Sequence, residues 1–519
     1  MEFIKKNLHM NRVKTNVYTQ ITLEDDFNVP DIKSDIDEII TDNGKIIIEN
    51  IRVNNQKVNI KGKLCFSLLY GSFNDNKLLH NMSGEIGFDE NVNVDGIEDT
   101  DSVNVKCEIE DLSIGIINSR KISVKAIVGM RLVGEDICDC QPVVDITGDD
   151  NVDCMKKQLD MSQVVIYKKD IFRIKDELDL PANKLNMSEI LWESLNLRSI
   201  NTKLLNGKIE LTGEMQMFVL YEAEEENAPV QWMESVIPFG GAIELPECSQ
   251  DMIADISTNI ANSSVSIKSD FDGEQRVIEY EMVLDLNIKI FYEEQVTIVG
   301  DVNSTSCKLI PKFLPTKMNR LLMKNNSKCK VTDKIKLDTQ KGSIMQLCCS
   351  NGRVKIDEII PKENVIMVEG IVDIDIMYIS SDDKMPVCMA KEIVPFSQEV
   401  EAYGVNEQSI VTIRPSLEQL NTNMAGNNEI EVKGYVSLDC LIFDVYLENI
   451  VESIEEQPFD KNELQKAPCI VGYRVQKGDT LWKIAKKYFT SVESIRTINE
   501  LRSDEINEGD MLLVVKAAI

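Results

Sequence analysis

Histidine is nearly absent from this 519-residue chain, which has only His9 and His80. Its thirteen cysteines include no Cys-x-x-Cys pair, and their number is odd. Zinc sites are usually built from such pairs or from Cys/His clusters, and disulfide frameworks usually use an even number of cysteines. The sequence therefore indicates neither a zinc site nor a disulfide scaffold, and it favours a reducing, intracellular compartment.

Familiar catalytic signatures are missing as well. The chain contains no Gly-x-Ser-x-Gly elbow, no Gly-x4-Gly-Lys phosphate loop and no His-Glu-x-x-His motif. We expect a protein that is not an enzyme and that needs no cofactor and no metal. A wall hydrolase remains an alternative, because the 87 Asp and Glu residues could supply a glycosidase-type pair of carboxylates.

Long apolar runs and an excess of positive charge are also lacking. No stretch approaches the ~20 apolar residues of a membrane-spanning helix, and the start of the chain has no signal-peptide core. The 56 Lys and Arg residues against 87 Asp and Glu give a net charge of -31, which disfavours nucleic acid and anionic lipid. We expect no cleaved export signal, no membrane insertion and no nucleic-acid partner. The acidity would serve solubility or attract a basic partner.

One pattern occurs three times along the chain. A glycine is followed after eight positions by a tyrosine and after eighteen more by a phenylalanine. The copies are Gly62, Tyr70 and Phe88; Gly213, Tyr221 and Phe239; and Gly370, Tyr378 and Phe396. Their glycines are 151 and 157 positions apart, so each copy marks a duplicated, domain-sized unit. The aromatic residues are predicted to be buried packing anchors, and the glycine to mark a β-bulge or a close backbone approach.

Apolar and polar residues alternate through each unit, as in residues 122–128, 277–286 and 430–438. This period of two predicts half-buried antiparallel strands. The sequence thus favours a mainly β fold with three repeated, sandwich-like units. One short helix is also predicted near the start of each unit, over 35–40, 188–192 and 343–345.

Changes in composition divide the chain into six parts. Prolines and charged residues interrupt the alternation after residue 452, which is typical of a linker. The predicted parts are a lead-in over 1–27, units over 28–150, 155–305 and 306–452, a linker over 453–470, and a C-terminal module over 471–519.

The C-terminal module is predicted to fold as β-α-α-β. A short strand at Tyr473 leads to a Gly-Asp turn, and apolar residues then recur at helical spacing. Asp479 is predicted to cap the first helix, and Thr490 with Glu493 forms a capping-box pattern before the second.

This module resembles a LysM domain. The matching positions are Tyr473, Val475, Gly478, Asp479, Thr480, Leu481, Ile484, Ala485, Tyr488, Ile495, Asn499, Leu501, Ile506, Gly509, Leu512 and Val514. The resemblance implies binding of N-acetylglucosamine polymers such as peptidoglycan or chitin in a shallow groove. Carried over, the groove residues would be Gly478, Asp479, Thr480, Ile506, Asn507, Glu508, Gly509 and Asp510.

The module departs from the usual LysM pattern at Glu508, where proline is frequent, and at Asp510, where glutamine is common. Carboxylates add a desolvation cost at a neutral-sugar groove unless they are hydrogen-bonded. The first helix carries Trp482, Lys483 and Lys486 away from its buried side, which suits a protein partner. From Val471 onward there are eight Lys and Arg against seven Asp and Glu, whereas the rest of the chain has 48 against 80.

The three β units resemble SPOCS domains, which occur in spore-coat proteins of clostridia and bacilli. The resemblance rests on the proline-linked start, the Gly-to-Leu-Tyr strand and the Pro-Phe strand. SPOCS repeats followed by one LysM domain imply a coat-assembly adaptor in the mother-cell cytoplasm. Its LysM domain would bind the coat-basement ATPase, stage IV sporulation protein A, at the forespore surface. A peptidoglycan-binding protein of the cortex or cell wall is the alternative.

Overall fold

The structure is a computed structural model that describes residues 2–73, 77–148, 151–225, 228–337, 342–426, 428–460 and 468–517. These residues contain twenty-two β-strands and two short helices, and both helices lie in the C-terminal module. The mainly β class predicted from the alternation is confirmed. Among the described residues, neither helix has the length and apolarity that a membrane crossing requires.

Three units with the same strand arrangement make up the body of the chain. The first unit contains β1 (Glu2–Lys5), β2 (Leu8–Asn28), β3 (Glu38–Asn54), β4 (Lys57–Gly71), β5 (Leu79–Asn93), β6 (Ser102–Asn118), β7 (Lys121–Cys140) and β8 (Val143–Thr147). The second contains β9 (Val152–Asp179), β10 (Met187–Leu205), β11 (Lys208–Ala223), β12 (Gln231–Glu244), β13 (Ile253–Ser269) and β14 (Gln275–Ser304). The third contains β15 (Lys308–Lys336), β16 (Ile344–Lys362), β17 (Val365–Ser380), β18 (Val387–Glu401), β19 (Ile410–Met424) and β20 (Glu429–Gln457).

Each unit contains a sandwich of two three-stranded antiparallel sheets, and in the first unit β1 and β8 form a further two-stranded antiparallel sheet. In the first unit β4 lies between β3 and β5, and β7 lies between β2 and β6. The second unit repeats this order with β11 and β14 as central strands, and the third with β17 and β20. Inward-facing side chains of both sheets form one core per unit, in which Leu64 and Val128 of the first unit are fully buried. The alternation of apolar residues therefore builds the sandwich directly.

The segments predicted as short helices are not helical. After Pro30 and Pro181 the chain makes a turn, in which Lys33 N donates to Pro30 O at 2.9 Å and Lys184 N to Pro181 O at 2.9 Å. Strands β3, β10 and β16 then begin within or next to the predicted segments. They are extended because each pairs with the central strand of its sheet, which satisfies the backbone groups that a helix would have satisfied internally. A short apolar run does not distinguish these two outcomes.

The repeated glycine marks a bulge and a close approach in every unit. Gly62, Gly213 and Gly370 each lie directly across the strand pair from the phenylalanine of their own repeat. In each unit the register with the other neighbouring strand shifts at the same glycine. The bulge and the close approach predicted from the sequence are confirmed.

In the first two units the repeated tyrosine ties the turn at the start of the unit to the sandwich. Tyr70 is fully buried and its hydroxyl donates to the Ser34 carbonyl at 3.0 Å. Tyr221 does the same to the Leu185 carbonyl at 3.2 Å. Both tyrosines are thus buried anchors, as predicted, and burial raises the pKa of each to about 12.

An arginine holds the same turn from the other side. Arg120 donates to the carbonyls of Lys33, Val29 and Pro30 at 2.6 to 3.1 Å. Arg276 repeats this arrangement in the second unit, with bonds to the carbonyls of Lys184, Leu180 and Pro181 at 3.0 to 3.4 Å. Sequence inspection did not single out either arginine.

The three units meet in shared apolar clusters. One cluster combines side chains from the first sheets of all three units: Leu69, Leu79, Leu191, Trp192, Phe218, Leu220, Cys348, Cys349, Met377 and Val387. Another combines the second sheets: Leu8, Met10, Cys140, Leu159, Met161, Val296, Ile298, Met318 and Ile450. The body is therefore a packed assembly of three sandwiches.

The ends of the body differ from the predicted lead-in and linker. Most of residues 1–27 form β2, an edge strand that pairs with β7 inside the first sandwich. At the other end β20 continues to Gln457, where a linker from residue 453 was predicted. Of that predicted linker, 461–467 lie outside the described residues.

Candidate binding site in the C-terminal module

The C-terminal module has the predicted order of elements: β21 (Ile470–Arg474), α1 (Leu481–Lys487), α2 (Val492–Ile498) and β22 (Met511–Val515). The two strands pair antiparallel and the helices cover one of their faces. The buried core consists of Tyr473, Val475, Leu481, Ile484, Ala485, Ile495, Leu512 and Val514. Asn499 joins α2 to β22, because its side-chain amide donates to Leu513 O and accepts from Leu513 N.

Asp479 shapes the turn between β21 and α1, but it does not cap the helix as predicted. Its carboxylate accepts a hydrogen bond from the Tyr473 hydroxyl at 2.7 Å and one from Gln476 N at 2.9 Å. These bonds lower the pKa of Asp479, the tyrosine hydroxyl having the larger effect, and the same bond raises the pKa of Tyr473 to about 12. The cap is Thr480, whose Oγ1 accepts from Lys483 N at 3.2 Å.

The cap of α2 is also displaced by one residue from its predicted position. Ser491 accepts from Ser494 N at 3.0 Å, whereas Thr490 is buried before the helix starts. The two corrections are alike: at each helix start the sequence offers two adjacent capping side chains, and the second of the pair is the cap.

The second loop of the predicted groove lies against the first. Gly509 N donates to Val475 O, and Val475 N donates to Asp510 O, each at 2.9 Å. The Asp510 carboxylate accepts from Asn507 N at 2.8 Å. Two of the groove carboxylates, those of Asp479 and Asp510, therefore already hold hydrogen bonds within their own loops.

A small surface cavity lies where the two loops meet. Its lining residues are Arg474, Val475, Gln476, Lys477, Glu508 and Gly509. Of the eight predicted groove residues, Glu508 and Gly509 border this cavity. The other six do not line it: Gly478, Asp479, Thr480, Ile506, Asn507 and Asp510. Glu508 is exposed at its rim. The arrangement can accept a narrow polar ligand through backbone groups and long polar side chains.

The helix face predicted for a protein partner is divided in two. Lys483 is exposed and donates to Gly478 O within the module at 2.9 Å. Trp482 and Lys486 instead contact Asp301 in β14 of the second unit. The structure thus separates Lys483 from the two residues with which the sequence grouped it.

Sequence inspection missed the residues of the second unit that contact the module. These are Asp301, Asn303 and Asp153, which lie at the end of β14 and the start of β9. No motif marks them, since one more aspartate or asparagine in an acidic chain carries no signal. Among the described residues, no group of three or more His, Cys, Asp or Glu side chains could hold a metal ion.

Family comparison supplies the identity of both parts. A model described as SipL, SPOCS domain, matches residues 35–117, 186–268 and 343–425, and a LysM domain model matches 473–515. The chain has the SipL-like architecture of three SPOCS domains and one LysM domain. The matches start 151 and 157 residues apart, the same intervals as the repeated glycines. Each SPOCS match covers the first sheet of its sandwich and one strand of the second.

SPOCS and LysM domains are non-catalytic binding domains, and together they support a sporulation-related adaptor with a cell-wall-binding module. A curated relative, the uncharacterized protein YkzQ of Bacillus subtilis (strain 168), is 40% identical over 42 residues. The aligned residues make up 8% of this chain and 56% of that protein. No solved structure matches the chain.

Proposed function

We propose that the chain is a non-enzymatic adaptor in endospore coat assembly. The LysM domain recruits it to the coat-basement ATPase, stage IV sporulation protein A, at the forespore surface in the mother-cell cytoplasm. The three SPOCS units form the scaffold that the LysM domain brings to this surface. The SipL-like order of domains is the observation on which this proposal rests.

Charge supports a recruiting role for the LysM domain. The domain has nearly balanced charge on a body with 48 basic and 80 acidic residues. It also exposes Lys483 on α1 and Glu508 beside the cavity. A domain with a net charge near zero can bind a partner that the acidic body would repel or not attract.

The test is a pull-down of purified ATPase with the full chain and with a chain that lacks residues 471–519. We expect the deletion to abolish capture. Lys483→Glu should weaken capture several-fold, because it reverses an exposed charge on α1, while Arg502→Ala in the same domain serves as the control. Equal capture with and without the LysM domain contradicts the recruiting role.

Binding of peptidoglycan through the groove is the second candidate. Asp479 and Asp510 already hold local hydrogen bonds, so the cost of bringing a neutral sugar against them is reduced. In this case the full chain sediments with purified peptidoglycan, and soluble chitin oligomers release it. Sedimentation that chitin oligomers do not affect counts against the groove.

A further inference from the structure

One carboxylate of the second SPOCS unit holds two side chains of the LysM domain. Trp482 Nε1 donates to Asp301 Oδ2 at 2.8 Å, and Lys486 Nζ donates to Asp301 Oδ1 at 2.7 Å. The Asp301 side chain is 22% exposed and that of Lys486 is 35% exposed. Both donors come from the same face of α1, one helical turn apart, so a single acceptor fixes the rotation of the helix.

Two more contacts hold the end of α1 and the start of α2. Asn303, two residues after Asp301, donates its side-chain amide to the Thr490 carbonyl at 2.8 Å, and both residues are buried. The carboxylate of Asp153 in β9 lies near the Val492 backbone N–H at the start of α2. Burial raises the pKa of Asp153, and the nearby Val492 N–H partly offsets this shift. The interface therefore spans both helices.

We infer that the second SPOCS unit keeps the LysM domain docked against it, which we call the closed arrangement, and competes with the protein partner for Trp482 and Lys486. This inference rests on the proposed function, because it concerns the helix face that would recruit the ATPase. The indole has one N–H donor, so a partner that uses it must first displace Asp301. The closed arrangement keeps this face unavailable until the partner binds it more tightly than the second unit does.

The covalent connection favours this competition. Only residues 458–469 separate β20 from β21. A short connection gives an intramolecular contact an effective concentration in the millimolar range, so even weak hydrogen bonds compete with a partner at micromolar concentration. The apparent affinity for the partner is proportional to the fraction of chains in which the LysM domain is undocked, so docking lowers it.

The first experiment measures closure without any partner. The full chain is treated briefly with an acetylating reagent, and modification of Lys486 is compared with that of Lys483 by mass spectrometry. Lys483 is an internal reference, since it lies on the same helix and donates to Gly478 O within the LysM domain. We expect Lys486 to react several-fold more slowly in the wild type and at a similar rate in Asp301→Ala. Equal rates in the wild type overturn the closed arrangement.

The second experiment measures competition by titrating the ATPase with full-length variants. Asp301→Ala should bind about tenfold more tightly than the wild type, because it removes two charge-assisted hydrogen bonds from the closed form. Asn303→Ala should change affinity in the same direction without changing charge. The matched control is Asp285→Ala, an exposed carboxylate of the same strand.

Unchanged or weaker binding by Asp301→Ala overturns the competition, even if the acetylation experiment shows closure. Failure of every variant to bind the ATPase contradicts the proposed function instead. In that case the acetylation rates still decide whether Asp301 closes the LysM domain.

Discussion

Gly62 lies directly across the strand pair from Phe88, whose ring occupies the space that a side chain at position 62 would need. A β-carbon there would stand 2.7 Å from Phe88 Cζ and 2.5 Å from the Ile47 carbonyl oxygen. The same pair recurs as Gly213 with Phe239, at 2.6 Å. The repeat is therefore a steric unit, in which the glycine makes room for the phenyl ring.

Gly62→Ala should destabilise the first sandwich by about 1 to 3 kcal/mol, because both the ring and a backbone carbonyl would have to move. The measurement is the midpoint of urea unfolding. Gly87→Ala is the matched control, since a β-carbon at this neighbouring position would meet nothing within 4 Å. An unchanged midpoint for Gly62→Ala contradicts the steric explanation.

The buried tyrosines should make the protein sensitive to alkali. Burial raises the pKa of Tyr70 and Tyr221 to about 12 in the folded chain, whereas an unfolded tyrosine has a pKa of about 10. The unfolded state therefore loses protons first, and stability falls as pH rises from about 10 to about 12. We expect Tyr70→Phe with Tyr221→Phe to reduce this fall.

The same double variant should lose about 1 kcal/mol per site at pH 8, because the Ser34 and Leu185 carbonyls each lose a donor. Thermal unfolding at pH 8, 10 and 11 measures both effects. Tyr403→Phe is the control, as that side chain is 72% exposed. Identical pH dependence in the wild type and the double variant would show that these tyrosines do not govern alkaline unfolding.

Thr480, not Asp479, caps helix α1, and this assignment can be tested by stability. Thr480→Ala removes the acceptor for Lys483 N and should cost the LysM domain about 1 kcal/mol. Amide hydrogen exchange of residues 481–487 should become faster accordingly. Ser503→Ala, at an exposed loop position of the same domain, should leave exchange unchanged. Normal exchange in Thr480→Ala would refute the cap.

Phe218 packs in the apolar cluster that all three units share. Phe218→Ala should cost about 3 to 5 kcal/mol and loosen the junction, because a fully buried ring leaves a cavity among the three sandwiches. Hydrogen exchange should then become faster in β4 and β17 of the neighbouring units. Leu284→Ala, in the second unit's own core, should not affect those strands. Equal hydrogen exchange of β4 and β17 in the two variants would contradict an apolar cluster shared by the three units.

The repeat and its spacing could be predicted because the same glycine lies across from the same phenylalanine in all three units. Period-two alternation likewise predicted the β class, since one face of each strand is buried. The helices predicted near the start of each unit were wrong, because the decisive partner of those segments is the central strand, which lies well over a dozen residues away in sequence. Local pattern carries no information about that pairing.

The LysM domain shows the same division between local and tertiary information. Its strands and helices follow from spacing within about 45 residues and the structure confirms them, and a LysM model matches residues 473–515. The prediction placed the cap of α1 one residue too early, because the Tyr473 hydroxyl binds the Asp479 carboxylate that would otherwise cap the helix, and Thr480 caps it instead.

By itself the sequence determined the three repeated units, the β class and the separate C-terminal LysM domain, since each rests on residues close together in the chain. Only the tertiary structure decided that the sandwiches share apolar junctions and that Asp301 binds Trp482 and Lys486. The reason is physical: the Lys486–Asp301 contact joins residues 185 positions apart and the shared clusters join residues of all three units, so complementary shape and charge, rather than any local pattern, bring them together.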